Sequence, residues 1–129
     1  SIYHNIPWLR ETCSQEVTLN ASDAKALGVQ TGDTVEVYND RGSCIVPVYV
    51  TERCMPRVAV IYEGAWMDRD RNGVDRAGNP DFLTADQPSP AGAFAYNTIL
   101  VNIRKTELEH RPGWDQLANA RSHVFRREL

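Results

Sequence analysis

GVQTGDTVEVYNDRGSCIVPVYVTERCMPRVAVIYEGAW, residues 28–66, decides the fold class of this chain. Within it Thr34 to Tyr38 alternates, with Val35 and Val37 on one face and Glu36 and Tyr38 on the other, the period of a half-buried strand. Asn39-Asp40-Arg41-Gly42 supplies Asn at the first and Gly at the fourth position of a turn, which predicts a type I turn with a glycine bulge. The chain should therefore fold back antiparallel from Cys44 to Val50. Pro47 has no amide to give a ladder, so it places that return strand at an edge or a bulge. Val58 to Tyr62 is a near-continuous apolar run and predicts a central strand covered on both faces. No complete catalytic set lies in this stretch.

Upstream, Val17 to Leu19 reads as a short strand running into a helix that starts at Asn20. The Asn20 side chain can cap the free amides of ASDAKAL, and Gly28 can end the helix in the left-handed conformation. Downstream, periodicity is lost from Met67 to Ala95, where Asp, Asn, Gly and Pro dominate; a loop of that length is usually functional or disordered. Strand character returns from Thr98 to Ile103. Beyond a polar link, Trp114, Leu117, Ala118, Val124 and Phe125 recur at helical spacing and end in Arg126 and Arg127, which complement a helix C-terminus.

The totals bound the function. A chain of 129 residues holds one core, read as one domain with a tail. A hydrophobic fraction of 42% and a net charge of −3 are those of a globular domain and leave no broad basic footprint for nucleic acid. No apolar run approaches the length that spans a membrane. Cys13, Cys44 and Cys54 are odd in number and widely spaced, fitting neither a disulfide framework nor a zinc site, and are read as buried thiols. The abrupt start at Ser1 suggests excision from a longer polypeptide.

Several groups could carry chemistry. Asp68 to Gly73 matches the opening of a calcium loop, but Asn79 stands at the twelfth position, where a bidentate Glu is needed. Gly42-Ser43 resembles the self-cleaving step of pyruvoyl-dependent aspartate decarboxylases, although Ser43 also serves as a first strand residue. His4, His110 and His123 have no metal-binding spacing and suit surface or packing roles. Glu63 and Trp66 follow the apolar run, where a barrel rim would present them to a ligand or neighbour; Trp66 could equally cover the core. The polar runs 78–84 and 95–98 carry amide, hydroxyl and carboxylate groups able to read the pyrimidine edge of a pterin, and equally able to form turns.

SIYHNIPWLRE, GVQTGDTVEVYNDRG, MPRVAVIYEGAW, LTADQPSP and AYNTILVNI, in this order, resemble the C-terminal molybdopterin-dinucleotide-binding domain of the dimethyl sulfoxide reductase family. The resemblance covers about residues 1–104; residues 105–129 form a linker and helical tail outside it, expected to pack on the barrel or a neighbouring domain. It implies a mainly β fold with short helices, a double-psi β-barrel closing over bis(molybdopterin guanine dinucleotide). The metal, molybdenum or tungsten, would be held by the dithiolene sulfurs and a side chain of another domain. The cofactor contacts it implies are Ser1, as the second residue of a His-Ser motif, Trp66, Asp81, Thr84, Tyr96 and Asn97; many relatives carry Asn where Asp81 stands. The implied activity is oxygen-atom transfer, as in S-oxide or N-oxide reduction. The implied partners are the remaining domains of the subunit and an iron–sulfur electron-transfer subunit; relatives are often exported. No catalytic residue is expected in this chain, and the isolated domain should be inert. The competing reading is a non-enzymatic β-barrel that binds calcium or a protein partner.

Overall fold

The computed structural model describes residues 6, 12–94, 96 and 99–111. Ser1, His4, Asn97, His123 and the expected helical tail lie outside them. Strand β1 (Val17–Asn20) leads into helix α1 (Ala21–Leu27), followed by β2 (Thr34–Tyr38), β3 (Ser43–Thr51), β4 (Val60–Ile61), a 3-10 helix (Pro80–Leu83) and β5 (Asn102–Lys105). The strands form one mixed sheet in the order β4-β1-β3-β2-β5.

The local signals account for the first half. Asn20 is extended and its side chain accepts the amide of Ser22, satisfying one of the donors a helix start leaves open. Gly28 closes α1 at φ 69°, in the left-handed region, and its amide reaches back to the carbonyls of Ala24 and Lys25. β2 and β3 form the expected antiparallel pair, from Thr34↔Pro47 to Tyr38↔Ser43. Their turn is held by Asn39, whose Oδ1 accepts from the amides of Arg41 (2.9 Å) and Gly42 (3.3 Å). Gly42 is not among the residues with positive φ, so the predicted glycine bulge is absent. Glycine is needed there for room: a Cβ at this position would lie 2.8 Å from the Phe82 carbonyl oxygen.

Pro47 departs from its expected place, because β3 is the middle strand. Residues 43–47 pair with β2, whereas residues 48–51 pair in parallel with β1, from Val17↔Val48 to Asn20↔Thr51. Pro47 stands where β3 passes from one neighbour to the other, so its missing amide interrupts neither ladder's interior. The run from Val58 to Tyr62 is likewise not a central strand. Only Val60–Ile61 is strand, paired with β1 at the sheet edge, and Val58, Val60 and Tyr62 are exposed. An apolar run reads alike whether a second layer covers it or not. The last strand begins at Asn102 rather than Thr98 and pairs antiparallel with β2.

Val17, Val35, Val37, Cys44, Val46 and Val48 are completely or almost completely buried and form the core with Leu19, Val29 and Leu83. Each such side chain contributes about 1.5–3 kcal/mol through lost contact with water. Cys44 and Cys54 are buried thiols as expected, but Cys13 is exposed. Glu36, on the opposite face of β2, is buried against the Arg104 guanidinium at 2.7 Å, and that cation lies 4.8 Å from the Tyr38 ring centroid. No helix among the described residues is long and apolar enough to cross a membrane.

Candidate functional site

The irregular excursion after β4 is ordered by its own polar groups. Asp75, fully buried, joins it to β3: its amide donates to the Ser43 carbonyl (3.0 Å) and its carbonyl accepts the Ile45 amide (2.8 Å). Its carboxylate accepts the Asp68 amide through Oδ1 (2.8 Å) and the Asn79 amide through Oδ2 (2.7 Å). Gln15, also buried, sends Nε2 to the carbonyls of Tyr62 (2.9 Å) and Gly78 (2.6 Å). Neither residue stands out in the sequence, because a loop Asp and a Gln before a strand carry no local pattern.

The 3-10 helix follows. Asn79 caps it by accepting the Asp81 amide (2.9 Å), Pro80 sits in its first turn, and Leu83 buries its side chain in the core. Asp81 is exposed, and its carboxylate makes no hydrogen bond or ion pair among the described residues. The Thr84 hydroxyl donates to the Asp81 carbonyl (2.9 Å), so these two predicted contacts are neighbours on one short element. The β2–β3 turn grips the same element: Asn39 Nδ2 donates to the Leu83 carbonyl (2.8 Å) and reaches the Leu100 carbonyl (3.4 Å), and Arg41 reaches Leu83 (3.4 Å). Asn39 thereby ties the loop holding Asp81 to the segment entering β5. The sequence marked Asn39 as a turn residue only.

Tyr96 is exposed and stacks on Phe94 with ring centroids 5.3 Å apart and planes at 22°. The pair borders a cleft of about 120 Å³ with Ala85, Asp86, Gln87 and Pro88, directly after Thr84 in the chain. Trp66 lies on the exit from β4, about a third exposed. Its segment meets the one leading to Asp81 through the bonds of Gln15 and Asp75. Ser1 and Asn97 lie outside the described residues. A wider depression of about 450 Å³ between α1 and the end of β3, bordered by Lys25, Gln30 and Val50, contains none of the predicted residues.

The electrostatics of the loop favour scaffold over metal. Asp70 spends its carboxylate on the amides of Asn72 (2.9 Å) and Val74 (3.1 Å) and on Arg76 (3.4 Å). Desolvation opposes ionisation there, but these donors outweigh it and hold the carboxyl below its ordinary range. Asp68 is paired with Arg111 at 3.2 Å. The Asp70 carboxylate is thus taken up by the chain's own donors, and the Asp68 carboxylate faces the Arg111 cation. No group of three His, Cys, Asp or Glu able to hold a metal occurs among the described residues. Burial pushes the Asp75 carboxyl up, opposed by amides of its loop. Burial, with the charges of Asp75 and Glu36, raises the Cys44 thiol to about 12. His110 packs as expected, Nε2 lying 3.2 Å from the Ala77 carbonyl, and burial lowers its pKa. Ser43 is the first residue of β3.

Comparison with known proteins gives these features a family. A model of the molydopterin dinucleotide binding domain matches residues 1–99. The chain is similar to dimethyl sulfoxide reductase DmsA of Escherichia coli (strain K12), 41% identical over 106 residues, which cover 81% of this chain and 13% of that protein. It is also similar to trimethylamine-N-oxide reductase 1 of the same organism, 41% identical over 97 residues, covering 70% of this chain and 11% of that protein. The chain therefore spans a small part of the length of these relatives. Among solved structures, acetylene hydratase from Pelobacter acetylenicus shares the fold, with a TM-score of 0.65 at 18% identity over 82% of this chain and 16% of that one. Matched over most of its length, the chain belongs to the molybdopterin dinucleotide binding domain family.

Proposed function

We propose that this chain is the pterin-holding wall of a molybdenum oxidoreductase of the dimethyl sulfoxide reductase type, and that the whole subunit reduces an S-oxide or N-oxide. The observation that carries the reading is the Asp81 carboxylate, exposed and unpaired among the described residues on an element anchored at both ends. A pterin's 2-amino-4-oxo pyrimidine edge offers an amine and a ring N–H, and an acceptor-only carboxylate suits those donors. The residues therefore fit the group. Thr84, Tyr96 and Trp66 complete the face among the described residues, with Ser1 and Asn97 as the further proposed contacts.

When bound, the cofactor, molybdopterin guanine dinucleotide with molybdenum or tungsten, supplies the oxygen-atom and electron transfer. What falls to this chain is binding and orientation: Asp81 accepts from the pyrimidine edge, the stacked Phe94 and Tyr96 present an aromatic surface, and Asn39 of the β2–β3 turn holds the element that carries Asp81. We read the sheet as part of a double-psi β-barrel over residues 1–104, supported by the parallel pairing of β1 with β3 within otherwise antiparallel neighbours. Residues 105–129 then serve as linker and tail. The partners are the other domains of the subunit and an iron–sulfur electron-transfer subunit.

The test is the pterin and molybdenum content of the purified subunit with Asp81 intact and with Asp81→Ala. The reading expects near-stoichiometric cofactor in the first and a several-fold loss in the second. A subunit that carries no pterin at all contradicts it.

A further inference from the structure

One peptide group, that between Gly78 and Asn79, is gripped from both ends by buried side chains. Its carbonyl oxygen accepts Nε2 of Gln15 at 2.6 Å, and its N–H donates to Oδ2 of Asp75 at 2.7 Å. The same two side chains also hold one other stretch of chain, and the amides of Ala77 and Gly78 add to the setting of the Asp75 carboxylate. Gln15 reaches the Tyr62 carbonyl at 2.9 Å, and Asp75 accepts the Asp68 amide at 2.8 Å. Residues 62 and 68 flank Trp66; residues 78 and 79 open the element that carries Asp81 and Thr84.

The chemistry of the two side chains is complementary and not interchangeable. A carboxamide facing two carbonyls must present its nitrogen to both, because the reversed amide would set oxygen against oxygen. Among the described residues Oε1 of Gln15 is buried with no hydrogen-bond partner, so the bonds seen there come from its donor alone. The Asp75 carboxylate acts as an acceptor, and its hydrogen-bond donors among the described residues are backbone amides. There is no slack between them: a Cβ on Gly78 would lie 3.1 Å from Gln15 Cγ and 3.2 Å from Val46 Cγ2. The orientation fixed at this peptide passes on through hydrogen bonds: the Asp81 amide donates to Asn79 Oδ1, and the Thr84 hydroxyl donates to the Asp81 carbonyl.

We propose that Gln15 and Asp75 are positioning residues of the cofactor-binding face, a two-point clasp that sets the Trp66 segment against the Asp81–Thr84 element. The proposal rests on the pterin-binding reading above. Neither residue needs to touch the cofactor; each acts through the backbone it holds.

The experiment measures how fast the intact, cofactor-loaded subunit releases its pterin, followed by pterin fluorescence at a temperature well below the melting point of every variant. Gln15→Met keeps length and removes the donor; Asp75→Asn keeps shape and removes an acceptor. Val35→Ala, in the core of β2, controls for lost stability. The clasp predicts release roughly tenfold faster from Gln15→Met and Asp75→Asn than from the Val35→Ala control, equivalent to about 1.4 kcal/mol. It also predicts that the double variant falls short of the product of the two single effects, since both grip one peptide. Release no faster than from the control overturns the clasp. If Asp75→Asn does not fold, Gln15→Met decides alone, because it leaves the Asp75 anchors intact. An unaltered subunit without pterin would overturn the functional reading instead, so the two failures are distinguishable.

Discussion

Replacing Gly42 by Ala tests how the β2–β3 turn meets the element that carries Asp81. The added methyl would stand 2.8 Å from the Phe82 carbonyl oxygen and 3.3 Å from Phe82 Cβ, well inside ordinary contact. Phe82 cannot yield freely, since its neighbour Leu83 is buried in the core and its carbonyl is held by Asn39. The turn and the 3-10 helix must therefore part by several tenths of an ångström, and overpacking of this kind costs about 1–3 kcal/mol. Removing glycine's freedom in the unfolded chain returns about 0.4–1 kcal/mol. The expected net loss is about 1–2 kcal/mol, or a fall in Tm of roughly 3–8 °C for a domain of this size. Gly28→Ala is the comparison: it meets no atom within 4 Å but stands at φ 69°, so its cost, about 1–2 kcal/mol, comes from the backbone alone. Urea unfolding followed by circular dichroism gives both values, and amide NMR shifts separate the causes. Shifts at residues 79–84 should move in Gly42→Ala and stay in Gly28→Ala. A Gly42→Ala chain of unchanged stability, with unmoved shifts at 79–84, would refute the close approach.

Thiol alkylation near pH 8 should modify Cys13 first and Cys44 last; a pKa of about 12 leaves Cys44 roughly a thousandfold less thiolate than an ordinary cysteine, as peptide mass mapping over time will show. His110 has its pKa lowered by burial, so below its ordinary value near 6.5 the unfolded chain takes up a proton that the folded chain refuses. Its contribution is present above that value and is lost as pH falls toward the folded one; urea titrations at about pH 8 and about pH 5.5 should show a smaller acid loss in His110→Gln than in the parent. Arg104→Ala leaves the buried Glu36 carboxylate without its cation and should lower stability in urea unfolding, an effect softened by solvent because Arg104 is itself largely exposed. Glu36→Leu combined with Arg104→Ala should recover most of that loss in the same unfolding assay.

The parts of the fold that local chemistry dictates were legible. Asn20, Gly28, the alternation in β2 and the Asn39 turn each act within a few residues, and each is where those residues put it. What could not be read depends on which strands meet. Pro47 suggests an edge until β1 and β2 are seen to share β3 end to end. The apolar run before Tyr62 suggests burial, yet half of it faces outward at the sheet edge. At the candidate site Asp81 was singled out by its type and the family motif, and the structure places its carboxylate at the surface. The residues that hold its element, Gln15, Asn39 and Asp75, were not: Gln15 and Asn39 bond backbone groups 44 to 63 positions away, Asp75 bonds amides within its own loop, and hydrogen bonds to backbone leave no trace in the partner's identity.

In the proposed function the pterin-reading face of this chain runs from Trp66 through Asp81 and Thr84 to Tyr96. Hydrogen–deuterium exchange of the purified subunit, with its cofactor and after the cofactor is removed, tests it most directly. Cofactor should protect peptides spanning residues 64–68, 79–86 and 93–97 and leave the depression beside α1, residues 21–31, unchanged. Protection centred on residues 21–31, with none at 79–86, would contradict it.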